Sequence, residues 1–390
     1  MEPFNTRRKH WNLFLTATGN LVQRTPFRSA IILISLLAIL FPFLTALSIS
    51  EGIKAQSKIS VEEGADFYIT GDAGGSSAPL SRTSIDRFQT LPGVSRVVPR
   101  IVGRAYLGEQ IVTIVGMPET LIVDTLSLMS GRSIQQKGEV IVGASLGRTY
   151  DLTEGSRFYL PINRWKRFTV VGTLSPSCTI WSAKLIYMSL EDAGELFRMK
   201  DMVTDFLIYA NPGDNPVVNI HLQQENRAGL PLRMQSRELI QSYLQKGFDS
   251  RTGVLTAFYI VAFALSVPLI LVVWGLGSVE RKKEIALLKA VGWETLDVIE
   301  MALWENVLLS LAGATLAFLL AFLWIKGFNG FFIAQFFLAE PGLVPDFPVP
   351  SRFLPITAFM ALFLSLALTL TGSLYYTWRT AITPSAELLR

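Results

Sequence analysis

The sequence predicts an α-helical membrane protein with four transmembrane helices and an α+β extracytoplasmic domain inserted between helices 1 and 2. Three observations carry this. Only 17% of the 390 residues are charged while 50% are hydrophobic, against about 25% charged in soluble domains. Four stretches stay apolar over the roughly 20 residues needed to cross about 30 Å of hydrocarbon. Between the first and second, the apolar pattern turns from continuous to alternating, as strands require.

The elements follow in order. Segment 1–29 precedes the first span and carries Arg7, Arg8, Lys9, Arg24 and Arg28. Span 1 covers 30–50, span 2 covers 254–277, span 3 covers 306–325 and span 4 covers 353–378. Pro42, Pro268 and Pro355 lie in or near them, where neighbouring helices can satisfy freed carbonyls, and they mark kinks. The loop 278–305 holds Arg281, Lys282, Lys283 and Lys289, and the tail 379–390 holds Arg379 and Arg390. The loop 326–352 is poor in cations and carries Glu340 and Asp346. Lys and Arg in short flanks mark the cytoplasmic side. Both termini are therefore expected in the cytoplasm, and segment 51–253 outside. Ala46-Leu47-Ser48 offers a weak cleavage site, but the apolar stretch exceeds a signal core of about 7–15 residues, so span 1 reads as an uncleaved anchor.

In the outer segment, residues 66–70, 94–102, 110–117 and 167–174 read as strands, with 157–162, 185–190 and 205–210 as shorter candidates. Helical patches fall at 84–90, 144–150, 190–199 and 236–245, which gives an α+β domain in two lobes. The run GDAGGSSAP at 71–79 reads as a flexible loop or lobe junction. It is no phosphate cradle, because no Lys-Ser/Thr follows.

Chemistry is sparse. The net charge of +4 does not by itself suggest nucleic-acid binding. Cys178 is the only cysteine, which excludes an intrachain disulfide and a Cys-based zinc site, and it reads as a semi-buried thiol. His10 and His221 are far apart in sequence, and His221 falls in the polar, helical stretch NIHLQQEN as an exposed side chain. No His-Glu-x-x-His, Ser-x-x-Lys or Gly-x-x-x-x-Gly-Lys-[Ser/Thr] pattern occurs. The outer domain therefore reads as a docking module.

The strongest signal is the loop SVERKKEIALLKAVGWETLDVIEMALWEN. Residues 280–291 favour helix; Ile285, Leu288 and Val291 fall close to one face, with Arg281, Lys282, Lys283, Glu284 and Lys289 around them. Gly292 suits a left-handed cap that reverses the chain before span 3. A short amphipathic helix of this kind either rests among lipid headgroups or inserts into a groove on a partner. Glu305 stands at the cytoplasmic edge of span 3. It is either a headgroup-level carboxylate or a partner for Lys289, Arg281 or another chain's cation. Small residues around Gly313 suit close helix packing.

The segment resembles the signature of the FtsX-like permease family, the MacB-type ABC transporter permeases, in which an R-x-x-E-I-x-x-L-(K/R)-A-x-G helix precedes a span that begins with Glu. The matching positions are Arg281, Glu284, Ile285, Leu288, Lys289, Ala290 and Gly292, then Glu305 and Gly313. GNLVQRTPFRSAIILI is similar to the family's amphipathic entry, GEVIVGASLGRTYDLTEGSRFYL with RFTVVGTL to its outer core, and AITPSAELLR to its tail, through Pro384, Glu387 and Leu388. The resemblance implies a non-catalytic permease, a homodimer or pair of close paralogues, served by two copies of a separate cytoplasmic ABC ATPase. ATP and magnesium would bind that partner and no cofactor this chain. Glu280, Arg281, Lys282, Glu284, Ile285, Leu288, Lys289 and Gly292 would form the coupling helix, with Glu305 and Gly313 supporting it. The cargo would be an amphiphile such as a lipid, lipoprotein, haem-like molecule or peptide, extracted or exported by mechanotransmission. Membrane lipids and a periplasmic adaptor are the other expected partners, and nucleic acid is not. The alternative is a mechanotransmitter that regulates a cell-envelope enzyme and moves no cargo.

Overall fold

Uninterrupted apolar sequence forms long helices here, and alternating sequence forms sheet. The computed structural model describes residues 2–24, 26–120, 128–160, 166–174, 184–229, 231–276, 278–338 and 347–382. In chain order, α1 (Glu2–Gly19) leads through a π-helical turn, Asn20–Arg24, into α2 (Pro26–Glu62). Next come β1 (Phe67–Ala73), β2 (Ser76–Ala78), β3 (Leu80–Ser81), α3 (Ile85–Gln89), β4 (Val94–Leu107) and β5 (Gln110–Met117). Then follow β6 (Leu128–Gly131), β7 (Glu139–Val142), α4 (Ala144–Thr149), β8 (Arg157–Leu160), β9 (Lys166–Leu174), β10 (Leu185–Ser189) and α5 (Leu190–Leu196). After β11 (Met202–Val203), β12 (Asp205–Ala210), α6 (Asn215–Arg227) and β13 (Leu232–Ser236), the chain forms α7 (Arg237–Leu276), α8 (Ser278–Ala290), α9 (Thr295–Phe328), α10 (Gln335–Leu338) and α11 (Pro355–Ile382).

The chain divides into two units. One comprises Met1–Gly52, Asp249–Pro345 and Ser351–Arg390, the other Ile53–Phe248 and Asp346–Pro350.

The second unit is built on an 11-stranded sheet ordered β13-β1-β12-β4-β5-β10-β7-β9-β6, with β2 on β1 and β8 on β9. Of its pairings, β10 with β5 and β7 with β9 are parallel, and the others are antiparallel. A larger core gathers Ile69, Ile114, Val142, Phe168 and Ile208 of the strands with Phe88 of α3, Leu146 of α4, Ala193 of α5 and Leu222 of α6. A second core joins Val98, Val115, Ile141, Val171 and Leu207. Gly116 lets α5 lie close against β5, since a Cβ there would stand 2.2 Å from that of Ala193.

In the first unit, Ile32, Leu36, Leu40 and Leu44 present a single stripe of α2 to Leu309, Ala314, Ala317 and Ala321 of α9 and to Ala361 and Leu368 of α11. A Cβ on Gly313 would stand 2.8 Å from Leu36 Cδ1, so this glycine admits the Leu36 side chain.

Several expectations change. Among the described residues, three helices are long and apolar enough to cross a membrane, within Pro26–Glu62, Thr295–Phe328 and Pro355–Ser373. α7 contributes a shorter apolar stretch, Thr256–Pro268. The helices also outrun the predicted spans, because helix propagates into polar sequence until a cap or breaker intervenes. α2 continues to Glu62, α7 merges the patch at 236–245 with span 2, and α9 begins at Thr295 behind a capping box of Glu294 and Asp297. The GDAGGSSAP run is a hairpin turned at Gly74-Gly75, both with positive φ, and not a loose junction. The expected two lobes share one continuous main sheet. Residues 121–127, Cys178 and the tail motif with Pro384, Glu387 and Leu388 lie outside the described residues.

Candidate coupling segment and its support

α8 is a helix of strong helix formers, SVERKKEIALLKA, that stops at a glycine. Gly292 takes φ +100°, and the Trp293 N–H donates to the Leu288 carbonyl at 3.1 Å. Glu294 then caps α9, its side chain and that of Asp297 each accepting the other's backbone N–H. The chain thus reverses within a few residues. Ile285 and Ala286 are fully buried, and Ile285 packs on Val298 of α9 beside Trp293 and Ile299.

This changes the expected outward face. Ile285 points into the protein. Val291, grouped with it by helical spacing, falls past the end of α8, where that spacing no longer applies, and is 76% exposed. The apolar side chains turned outward are Leu287, Val291 and Leu296, with Lys282 and Lys283 also exposed. Glu284, Leu288 and Lys289 are half-buried. Glu280 and Arg281 lie on α8, and their side chains fall outside the described set.

Glu305 is buried within the protein and meets Asn20, a partner outside the expected set of Lys289 and Arg281. It is 3% exposed, and Asn20, itself buried in the π-helical turn, donates to its Oε1 at 3.3 Å. The same amide meets Met301 Sδ at 3.7 Å, and Phe14 of α1 stands edge-on to Trp304. Asn20 and Phe14 thus hold the N-terminal helix against α9, a role the sequence reading missed. At the next residue, Asn306 donates to Ser373 of α11, and one turn further Ser310 pairs with Thr369 at 2.8 Å, while Ser365 donates to the Ser310 carbonyl at 3.1 Å. The spacing of four residues in 306, 310 and in 365, 369, 373 was the available signal.

In the sheet unit several buried charges pair within the fold. Arg100 on β4 holds Asp205 on β12 with two hydrogen bonds of 2.9 and 2.6 Å, across a cross-strand pair. Asp192, fully buried in α5, accepts from Lys166 Nζ and from the Gly138 N–H, each at 2.8 Å. Glu139 is held by Arg132 and by the backbone N–H groups of Gln135 and Gln136, which lower its carboxyl to about 2. His221 is half-buried on α6. Among the described residues, no group of three or more His, Cys, Asp or Glu side chains is placed to hold a metal ion.

Against known proteins, residues 30–218 match the family described as MacB-like periplasmic core domain, and residues 256–384 match FtsX-like permease C-terminal. Among solved structures, the periplasmic region of MacB from Actinobacillus actinomycetemcomitans aligns at 11% identity, covering 47% of this chain and 95% of that one, with a TM-score of 0.37. The extracellular domain of the noncanonic ABC-type transporter YknZ from Gram-positive bacteria aligns at 13% identity, covering 44% and 100%, with a TM-score of 0.35. No curated protein matches.

Proposed function

Since the chain belongs to the FtsX-like permease family of MacB type, we propose that it is the permease subunit of an ABC transporter whose ATP hydrolysis resides in a separate cytoplasmic ATPase. In this reading α2, α7, α9 and α11 all cross the inner membrane. The sheet domain lies outside between the first two, and both termini lie in the cytoplasm. Two copies of this chain, or one and a close paralogue, meet two ATPases. ATP and magnesium act through that partner, and the outer domain moves an amphiphile on the far side.

The observation that carries the proposal is the reversal at Gly292. It leaves Leu287, Val291 and Leu296 exposed beside Lys282 and Lys283 while Ile285 anchors the helix from behind. An exposed apolar cluster on a braced helix suits insertion into a partner's groove, with Leu288 and Lys289 at its margin. Glu305 and Gly313 brace α9 from α1 and α2.

Gentle purification of the tagged chain from its native membrane, followed by mass spectrometry, tests this. An ABC ATPase in equal amount is the expected result. An envelope protein in place of any ATPase would overturn it.

A further inference from the structure

Past the end of α9, residues 327–339 read GFNGFFIAQFFLA, with five phenylalanines, no charged residue and only Asn329 and Gln335 as polar side chains. A loop in water draws on Gly, Pro, Asn, Asp and Ser, and this one does so only where it turns. Asn329 and Gly330 take φ of +52° and +68° directly after the last residue of α9.

That turn folds the chain back on the helix. The Trp324 Nε1–H donates to the Phe331 carbonyl at 3.2 Å, and the two rings meet edge to face at 6.1 Å. Ala334 and Phe337 are buried and anchor the segment. Phe328, Phe332 and Phe336 stay 60%, 52% and 54% exposed, the last two edge to face at 5.5 Å. Phe332 also takes φ +65°, a strained region for a bulky side chain. Strain and exposure both count against a phenyl ring in water, and entry into hydrocarbon offsets them.

Depth follows from α9. Its uncharged stretch Asn306–Ile325 is 20 residues long, which at about 1.5 Å each matches roughly 30 Å of hydrocarbon. Trp324 lies in the last turn of that stretch, so Phe331 beside it is level with the hydrocarbon edge. Lys326 is exposed there, where a long cationic side chain reaches the phosphates. A protein partner would call for a polar rim, which this segment lacks.

We propose that Phe328, Phe332 and Phe336 form an aromatic wedge that inserts into the outer leaflet at the boundary of headgroups and acyl chains, with Lys326 against lipid phosphate. The wedge rests on α9 being a membrane helix in the orientation given above, and it is independent of the ATPase.

The test uses the full Cys178→Ser chain in phosphatidylcholine nanodiscs, with a nitroxide on Phe332→Cys or Phe336→Cys. Collision with oxygen, which enters hydrocarbon, is compared with collision with a water-soluble nickel chelate. Leu319→Cys on α9 and Tyr106→Cys on β4, both at exposed positions, are the references for lipid and water. The labels at 332 and 336 should favour oxygen and lie about 5–10 Å below the phosphates. Melting temperatures should stay within a few degrees of the unlabelled parent's. Nickel access equal to that at 106 would overturn the wedge, and so would exclusion of both reagents, as under a second protein. With Leu319 still deep in hydrocarbon, either result would leave the permease reading standing. A label at 319 in water would overturn both.

Discussion

Replacing Leu287 by Asp should separate docking from folding. Leu287, Val291 and Leu296 are 66%, 76% and 73% exposed, so most of each side chain is still available to a partner. Complete burial of such a side chain contributes about 1.5–3 kcal/mol, which leaves about 1–2 kcal/mol for each on docking. Leu287→Ala removes most of one share and should weaken ATPase binding about fivefold. Leu287→Asp also carries a carboxylate into the contact. With at least about 1–3 kcal/mol for its desolvation, the cost of a neutral polar group, the loss becomes roughly 2–5 kcal/mol, or about 30- to 5,000-fold. Lys282 and Lys283 nearby pull the value toward the lower end. The assay is a titration of the purified ATPase onto the full chain in nanodiscs, with a thermal melt of each variant. Ile285→Asp is the control. Ile285 packs on Val298 with no exposure, so its replacement should lower the melting temperature, whereas Leu287→Asp should leave it unchanged. Leu287→Asp binding within twofold of the parent would refute the docking face. An Ile285→Asp chain as stable as the parent would refute the packing of α8 on α9.

Three further outcomes are expected. Gly116→Ala places a methyl 2.2 Å from the Ala193 Cβ and should cost about 1–3 kcal/mol in denaturant unfolding, with Ala193→Gly recovering much of it; an additive double variant would contradict that close approach. Asn20→Ala should lower stability by about 1–3 kcal/mol by removing a donor from buried Glu305, and the same change in a Glu305→Leu background should cost clearly less; equal costs would mean the two are uncoupled. The Glu139 carboxyl is held at about 2 by Arg132 and two backbone N–H groups. Its contribution is therefore present above the ordinary carboxylate value and lost as pH falls from about 4.5 toward 2, on the order of 1–2 kcal/mol after screening at the half-exposed Arg132. A pH titration of thermal stability should show this decline, and Glu139→Gln should flatten it.

Legibility followed the local character of each signal. The apolar helices and the strands at 110–117 and 167–174 were readable, because continuous or alternating hydrophobicity is a property of neighbours in sequence. β7 was not, since all four residues of EVIV are buried and alternation vanishes in such a strand. β6 and β13 are short strands set by their neighbours' registers. At the coupling segment, the helix and its Gly292 stop were readable, but which face points outward was not. That depended on Val298 arriving from the next helix to cover Ile285. Asn20 escaped notice for the same reason, since its partner Glu305 is remote in sequence and only packing of α1 on α9 brings them together.

The pairs joining α9 to α11 repeat every four residues on both helices: Asn306 and Ser310 on one, Ser365, Thr369 and Ser373 on the other. One helical turn rises about 5.4 Å. If one helix slides along the other by a whole turn, Asn306 comes opposite Thr369 and Ser310 opposite Ser365, so polar groups meet polar groups again. A slide of half a turn sets each of them against hydrocarbon at the same moment. The contact is therefore toothed and has preferred stops one turn apart, with the steepest resistance midway between them.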